Sequence, residues 1–154
     1  MSFAHKTHGF SLTEVIVVVA ILGILMAIGV GQYMELRETK KVEQTTETIV
    51  AHLEKAKSES LAGKYAEPHG VKFNSSSYEA FIGATYPGSY TPTVYTVDSS
   101  VQLSTTLSGN QTIIFERLNG FVGSTATVTV SLVEDSTVYK QIVVNQTGAV
   151  EIVR

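Results

Sequence analysis

The chain opens with one hydrophobic pattern and changes to another after about 30 residues. From Val15 to Val30 every side chain is apolar or glycine, and the longer stretch Phe10 to Gly31 holds 22 residues with a single charge, Glu14. At a rise of about 1.5 Å per residue this is about 33 Å of helix, roughly the thickness of a bilayer's hydrocarbon layer. The pattern predicts a membrane-spanning helix. It gives way to a charged segment, Glu35 to Ala62, that contains neither proline nor glycine. Through its charges run Val42, Ile49, Leu53 and Ala56, with Val50 and Leu61 alongside. Steps of seven, four and three put that series on one helical stripe. Gly63 is the expected C-cap. The simplest outcome is one helix of about 50 residues, near 80 Å long, apolar all round in its first half and amphipathic in its second.

Beyond Gly63 the period shortens to two. Short β-prone runs cover Gly70–Asn74, Tyr78–Ile82, Thr93–Val97, Thr112–Glu116, Ala126–Val133, Tyr139–Val144 and Val150–Val153. Asn74–Ser77, Gly83–Pro92 and Asn145–Gly148 are expected as connections. The fold class expected is α+β. A long N-terminal helix, membrane-spanning and then amphipathic, packs on an antiparallel β-sheet head in a lollipop arrangement. The divisions expected are 1–9 as a leader, 10–31 as the spanning helix, 32–63 as its amphipathic continuation and 64–154 as the head.

Charge and cysteine usage narrow the function. The 154 residues carry a net charge of -3, and only 16% are Asp, Glu, Lys or Arg. The part from Lys64 onward sums to about -2, so it offers no electrostatic footprint for polyphosphates, and no nucleic-acid partner is expected. Without cysteine, disulfides, thiolate metal sites and cysteine nucleophiles are excluded. His5 and His8 sit in the leader, leaving His52, expected to be solvated on a charged helix, and His69, expected at a strand start. Asp98 and Asp135 lack a calcium-loop pattern. No catalytic, cofactor or metal site is expected, and the protein is expected not to be an enzyme.

Glu14 needs a reason. A carboxylate within the bilayer costs about 2.5–3.5 kcal/mol on insertion scales, less near an interface, and usually has a partner. If the chain were cut after Gly9, Phe10 would gain an α-amine one helical turn from Glu14. In a bundle of such helices a neighbour's amine would meet Glu14, turning the charge into a register device. Gly23, Ala27 and Gly31 recur every four residues, a ridge of small side chains suited to close helix approach. Two rival explanations stay open at this point. One is a secretory signal with Lys6 before an apolar Val15–Met26 core and small residues at Ala27-Ile28-Gly29. The other is a plain membrane anchor that keeps its first nine residues.

Gly9-Phe10-Ser11-Leu12-Thr13-Glu14, followed by the apolar run, resembles the processing signal of type IV prepilins and pseudopilins. His69-Gly70-Val71-Lys72-Phe73 and Tyr78-Glu79-Ala80-Phe81 resemble the hairpin of the H-type minor pseudopilins and related minor pilins. The resemblance implies a structural subunit of a type IV pilus or a type II secretion pseudopilus. It implies cleavage after Gly9 and N-methylation of Phe10 by prepilin peptidase, and recruitment to the filament through Glu14. The implied partners are other pilin or pseudopilin subunits, prepilin peptidase, an inner-membrane assembly platform and membrane lipid. The implied location is the bacterial inner membrane, single-pass with the N-terminus cytoplasmic, and then an extracytoplasmic filament. A DNA-uptake minor pilin is the alternative within the family. Ala149 and Val150 stand where relatives often carry an arginine, which weakens that alternative. Gly31 lies where many major pilins have proline.

Overall fold

The computed structural model describes residues 10–107 and 111–153, with the backbone alone over 27–35. It divides into two compact units, Met1–Arg37 and Glu38–Arg154, and one helix, α1 (Leu12–Leu61), belongs to both. The helix ends where the sequence predicts: Gly63 takes a left-handed φ of 63°, and its N–H donates to the Ser60 carbonyl. Without a Cβ, glycine enters that region at no steric cost. The chain leaves the helix through a tight turn at Lys64–Ala66, in which Tyr65 and Ala66 also take left-handed φ values of 57° and 59°.

In the second unit eight strands follow: β1 (His69–Phe73), β2 (Ser77–Ile82), β3 (Thr93–Thr96), β4 (Val101–Thr105), β5 (Thr112–Phe115), β6 (Ala126–Leu132), β7 (Tyr139–Val144) and β8 (Val150–Ile152). Every pairing is antiparallel. They form two sheets, ordered β3-β2-β1-β5 and β4-β6-β7-β8, where sequence alone suggested one. The reason is the partner of β4, a strand the hydropathy pattern does not mark. It pairs with β6, while β5, later in the chain, returns to β1. A hydrogen bond from Leu103 N–H to the Ser75 carbonyl (2.9 Å) joins β4 to the β1–β2 turn.

Both sheets turn alternate residues toward α1. Val71, Phe73, Ile113 and Phe115 come from the first, and Val101, Leu103, Val128, Val130, Ile142 and Val144 from the second. Val42, Ile49, Leu53 and Ala56 meet them from the helix, all buried. Two polar residues complete the stripe. Thr46 is buried, with its hydroxyl donating to the Val42 carbonyl (2.7 Å). Ser60 is buried at the last turn; its Oγ donates to the Phe115 carbonyl (3.0 Å) and accepts from the His69 N–H (2.8 Å), while its own carbonyl accepts from Leu118 N–H. One side chain and its backbone thereby tie the helix end to β1, β5 and the loop after β5.

The other face of the first sheet has its own small core. Gly70 pairs across from Phe81. A Cβ added at Gly70 would lie 2.5 Å from the Phe81 ring and 2.9 Å from the Ile113 carbonyl oxygen. Glycine is what lets the ring lie over β1. The Gly83–Pro92 connection folds back onto this face, with Tyr86 edge-on to Phe81 (5.5 Å) and its hydroxyl donating to Glu79 (2.7 Å). Lys72 Nζ sits 3.9 Å from the Tyr86 ring centre. Gly70→Ala is therefore expected to cost about 1–3 kcal/mol, as overpacked sites do, and adding Phe81→Leu should recover part of it. Thermal unfolding of the two variants measures both effects.

Candidate functional site

The N-terminal segment begins with a helix cap. Ser11 precedes the first helical residue; its carbonyl accepts from Glu14 N–H (3.1 Å) and Val15 N–H (3.3 Å), and its Oγ also accepts from Glu14 N–H (3.3 Å). Ser11 Oγ lies 2.9 Å from Thr13 Oγ1. Glu14 thus occupies the third helical position of a Ser-x-x-Glu capping sequence, with Phe10 and Val15 at the positions of a hydrophobic staple. Its charge in the first turn also complements the helix macrodipole. This local role was legible in Ser11-Leu12-Thr13-Glu14 and is independent of any partner.

Behind the cap, Val15, Ile16, Val17, Val18, Val19, Ile21, Leu22, Ile24, Leu25 and Met26 are all exposed. Helices that are apolar on every face are covered by lipid or by other helices, and β-branched runs such as Val17-Val18-Val19 gain little helicity from propensity alone. Covering these ten side chains is worth of order 10 kcal/mol at the usual return for buried apolar area. Among the described residues no helix is long and apolar enough to cross a membrane. The described apolar side chains stop at Met26, and the rest of the expected span falls on residues whose side chains lie outside the description.

The expected site residues are distributed as follows. Phe10 is exposed just before the helix, and Glu14 is exposed on its first turn. A Cβ at Gly23 would meet nothing within 4 Å. Gly9 lies outside the described residues, and the side chains at 27 and 31 lie outside the description.

The head's histidines depart in part from expectation. His52 is not solvated: its Nδ1 lies 2.7 Å from Tyr78 Oη, and its ring stacks on Tyr95 at 4.2 Å. Burial, and secondarily Tyr95, pushes the Tyr78 hydroxyl up to about 12, so it keeps its proton. His69 does open β1, and it is buried, with neither ring nitrogen hydrogen-bonded to a side chain or backbone group. Burial holds both imidazoles below the ordinary histidine value; for His69 this outweighs the opposing pull of Glu59, 3.7 Å from Nε2, which itself is bound by Lys64 (2.7 Å). Both line one cleft of about 180 Å³ between α1 and the first sheet. Among the described residues no group of three or more His, Asp or Glu is placed to hold a metal ion.

A histidine whose folded pKa is depressed binds its proton more readily in the unfolded chain. Stability is then fully present above the unfolded value near 6.5 and is lost as pH falls through and below it. The head is expected to lose stability between pH 7.5 and pH 5.5, and His69→Gln should flatten that dependence. Urea unfolding at the two pH values decides it; an unchanged midpoint would reject the assignment.

Three comparisons bear on the whole arrangement. The family model described as the prokaryotic N-terminal methylation motif matches residues 4–30. No curated protein matches the chain in sequence. Among solved structures, the type IV minor pilin FimU of Pseudomonas aeruginosa PAO1 is similar in fold, with a TM-score of 0.62 and 11% identity over 75% of this chain and 90% of that one. The minor pseudopilin EpsH from the type 2 secretion system of Vibrio cholerae is similar at a TM-score of 0.56 and 11% identity, over 73% of this chain and 96% of that one.

Proposed function

We propose that this chain is a type IV pilin-like protein, carrying the methylation motif ahead of a fold similar to that of a minor pilin, and that it is stored in a membrane and built into a filament through α1. In this reading it is a structural subunit and not an enzyme; the methylation motif and the likeness of fold support it. The observation that carries the proposal is the conjunction at its start: a capped helix with Glu14 on its first turn, then ten large apolar side chains facing outward. Such a helix is stable only when something apolar surrounds it. Lipid serves before assembly and the helices of other pilin-type subunits serve after it.

In this scheme residues 1–9 are a leader that prepilin peptidase removes after Gly9, and Phe10 becomes the methylated N-terminus. Lys6 keeps the leader cytoplasmic, so the head lies outside. Residues 10–31 form the assembly helix, with Gly23, Ala27 and Gly31 as its close-packing ridge, 32–63 continue it, and 64–154 complete the head. An inner-membrane platform extracts the subunits from the lipid. Glu14 then pairs with a neighbour's Phe10 amine, one charge neutralising the other where water is scarce.

Intact-mass measurement of the chain recovered from its native host tests this directly. The expected mass is that of residues 10–154 plus one methyl group. A mature chain beginning anywhere else would end the proposal.

A further inference from the structure

The two histidines of the head line the same cleft, about 180 Å³ between α1 and the first sheet, and their ring nitrogens are unequally used. The Tyr78 hydroxyl has no other acceptor among the described residues, so it donates to His52 Nδ1 (2.7 Å). The hydrogen of that ring is left on Nε2, the nitrogen turned away from Tyr78. His69 is 2% exposed, and neither of its nitrogens has a hydrogen-bond partner. Buried polar groups are satisfied in all but a few cases, and each exception needs a reason.

The cover over His69 is a tyrosine on strained backbone. Tyr65 lies 6.3 Å from His69 and 5.1 Å from Tyr90 between ring centres, and it is 53% exposed. Tyr65 and Ala66 both hold left-handed φ values, which residues other than glycine rarely adopt. Strain of this kind persists where the surroundings enforce it, and it gathers at ligand clamps. The half-exposed ring can turn aside about its own side-chain bonds while that backbone stays in place. A cavity of about 150 Å³ holds a benzene molecule, so the cleft accepts one six-membered ring. Tyr65 and Tyr95 give it aromatic walls.

The two ends of the cleft differ in charge. Lys64 is paired with Glu59 (2.7 Å), whereas Lys55 has no carboxylate within 4 Å among the described residues. Burial keeps both imidazoles neutral at pH 7. Lys55 and Lys64 against Glu59 then leave the lining with one uncompensated positive charge, at Lys55, whose field reaches His52. Glu59, 3.7 Å from His69 Nε2, stands one turn of α1 beyond Lys55, about 6 Å along the axis. A ring substituted at opposite ends spans that interval. We propose that the cleft binds a small aromatic carboxylate bearing a hydroxyl on the far side of its ring. The carboxylate meets Lys55 and accepts from His52 Nε2–H, and the ring lies against Tyr65 and Tyr95. The hydroxyl, at once donor and acceptor, meets the neutral imidazole of His69, which offers one of each once Tyr65 turns aside. Occupancy of the cleft does not depend on how the chain assembles.

The test is a titration of the full-length chain in detergent, its histidines labelled with carbon-13, with 4-hydroxybenzoate. The His52 and His69 ring signals should move together and saturate, while those of His5 and His8 stay where they are. The dissociation constant expected of a ligand this small is about 1 mM. Lys55→Gln, at an exposed position, should weaken 4-hydroxybenzoate about fivefold and leave 4-hydroxybenzyl alcohol unaffected. Lys55→Arg should keep both at wild-type strength. Lys57→Gln, the same loss of charge outside the cleft lining, should change neither. Benzoate, which lacks the hydroxyl, should bind more weakly and leave the His69 signal in place. Absence of a saturable shift at His52 and His69 would overturn the site. So would the alcohol binding as tightly as the acid, or Lys57→Gln weakening the acid as much as Lys55→Gln.

Discussion

Glu14→Gln is expected to lower incorporation of the subunit into filaments by two orders of magnitude or more while leaving the head folded. Glutamine keeps the cap, because either Glu or Gln suits the third position after Ser11. What it removes is the negative charge, which in the proposed assembly would leave the Phe10 ammonium of a neighbouring subunit unpaired in an apolar bundle. Breaking a buried ion pair by deleting one partner costs about 3–5 kcal/mol, and each 1.4 kcal/mol is about tenfold. Glu14→Ala removes charge and cap together and should fare no better. The measurement is the fraction of chain recovered in sheared filaments relative to the membrane pool. Wild-type incorporation by Glu14→Gln would mean that Glu14 acts through its helix cap alone, and the pairing mechanism would have to be abandoned.

Leu53→Ala is expected to destabilise the head by about 2–5 kcal/mol, the range for deleting a buried leucine. For a domain of this size that is a fall of roughly 10–20 °C in the unfolding midpoint. Leu53 is fully buried in the stripe that both sheets share, so neither sheet can close over the vacancy without moving the helix from the other. Leu61→Ala, on the same helix but exposed, should cost under about 1 kcal/mol. Thermal unfolding followed by circular dichroism separates the two, and similar midpoints for both would contradict the burial pattern.

The long helix was legible because its two halves each obey one rule: continuous apolarity first, a heptad-like stripe after. Gly63 marked its end for a reason visible in composition, since only glycine enters the left-handed region without strain. The stripe's full membership was less visible. Thr46 and Ser60 are buried in it, yet a hydropathy pattern passes over them because their hydroxyls are satisfied by carbonyls that no local sequence identifies. β4 was missed for a related reason: Val101 and Leu103 are its only buried apolar residues, set among Gln102, Ser104 and Thr105 that resemble a loop. Alternation tells which side of a strand is buried, but not which strand lies beside it, so the split into two sheets was out of reach. His52 was misjudged because its surroundings on the helix are charged, whereas its contacts, Tyr78 and Tyr95, are contributed by strands 26 and more residues away. At the N-terminus the capping sequence lay in plain view, overshadowed by the more conspicuous problem of a carboxylate in an apolar segment.

The knot at Ser60 has a mechanical consequence. In the proposed assembly, a subunit drawn by its helix would carry tension along α1 toward its last turn. The three hydrogen bonds at Ser60, to β1, β5 and the following loop, all sit in the last turn of α1, so that a pull along the helix would have to break them to draw its end free of the head. A serine that contributes little greasy surface thus acts as the stop at the end of the rail, which suits a chain without a single disulfide to take the strain.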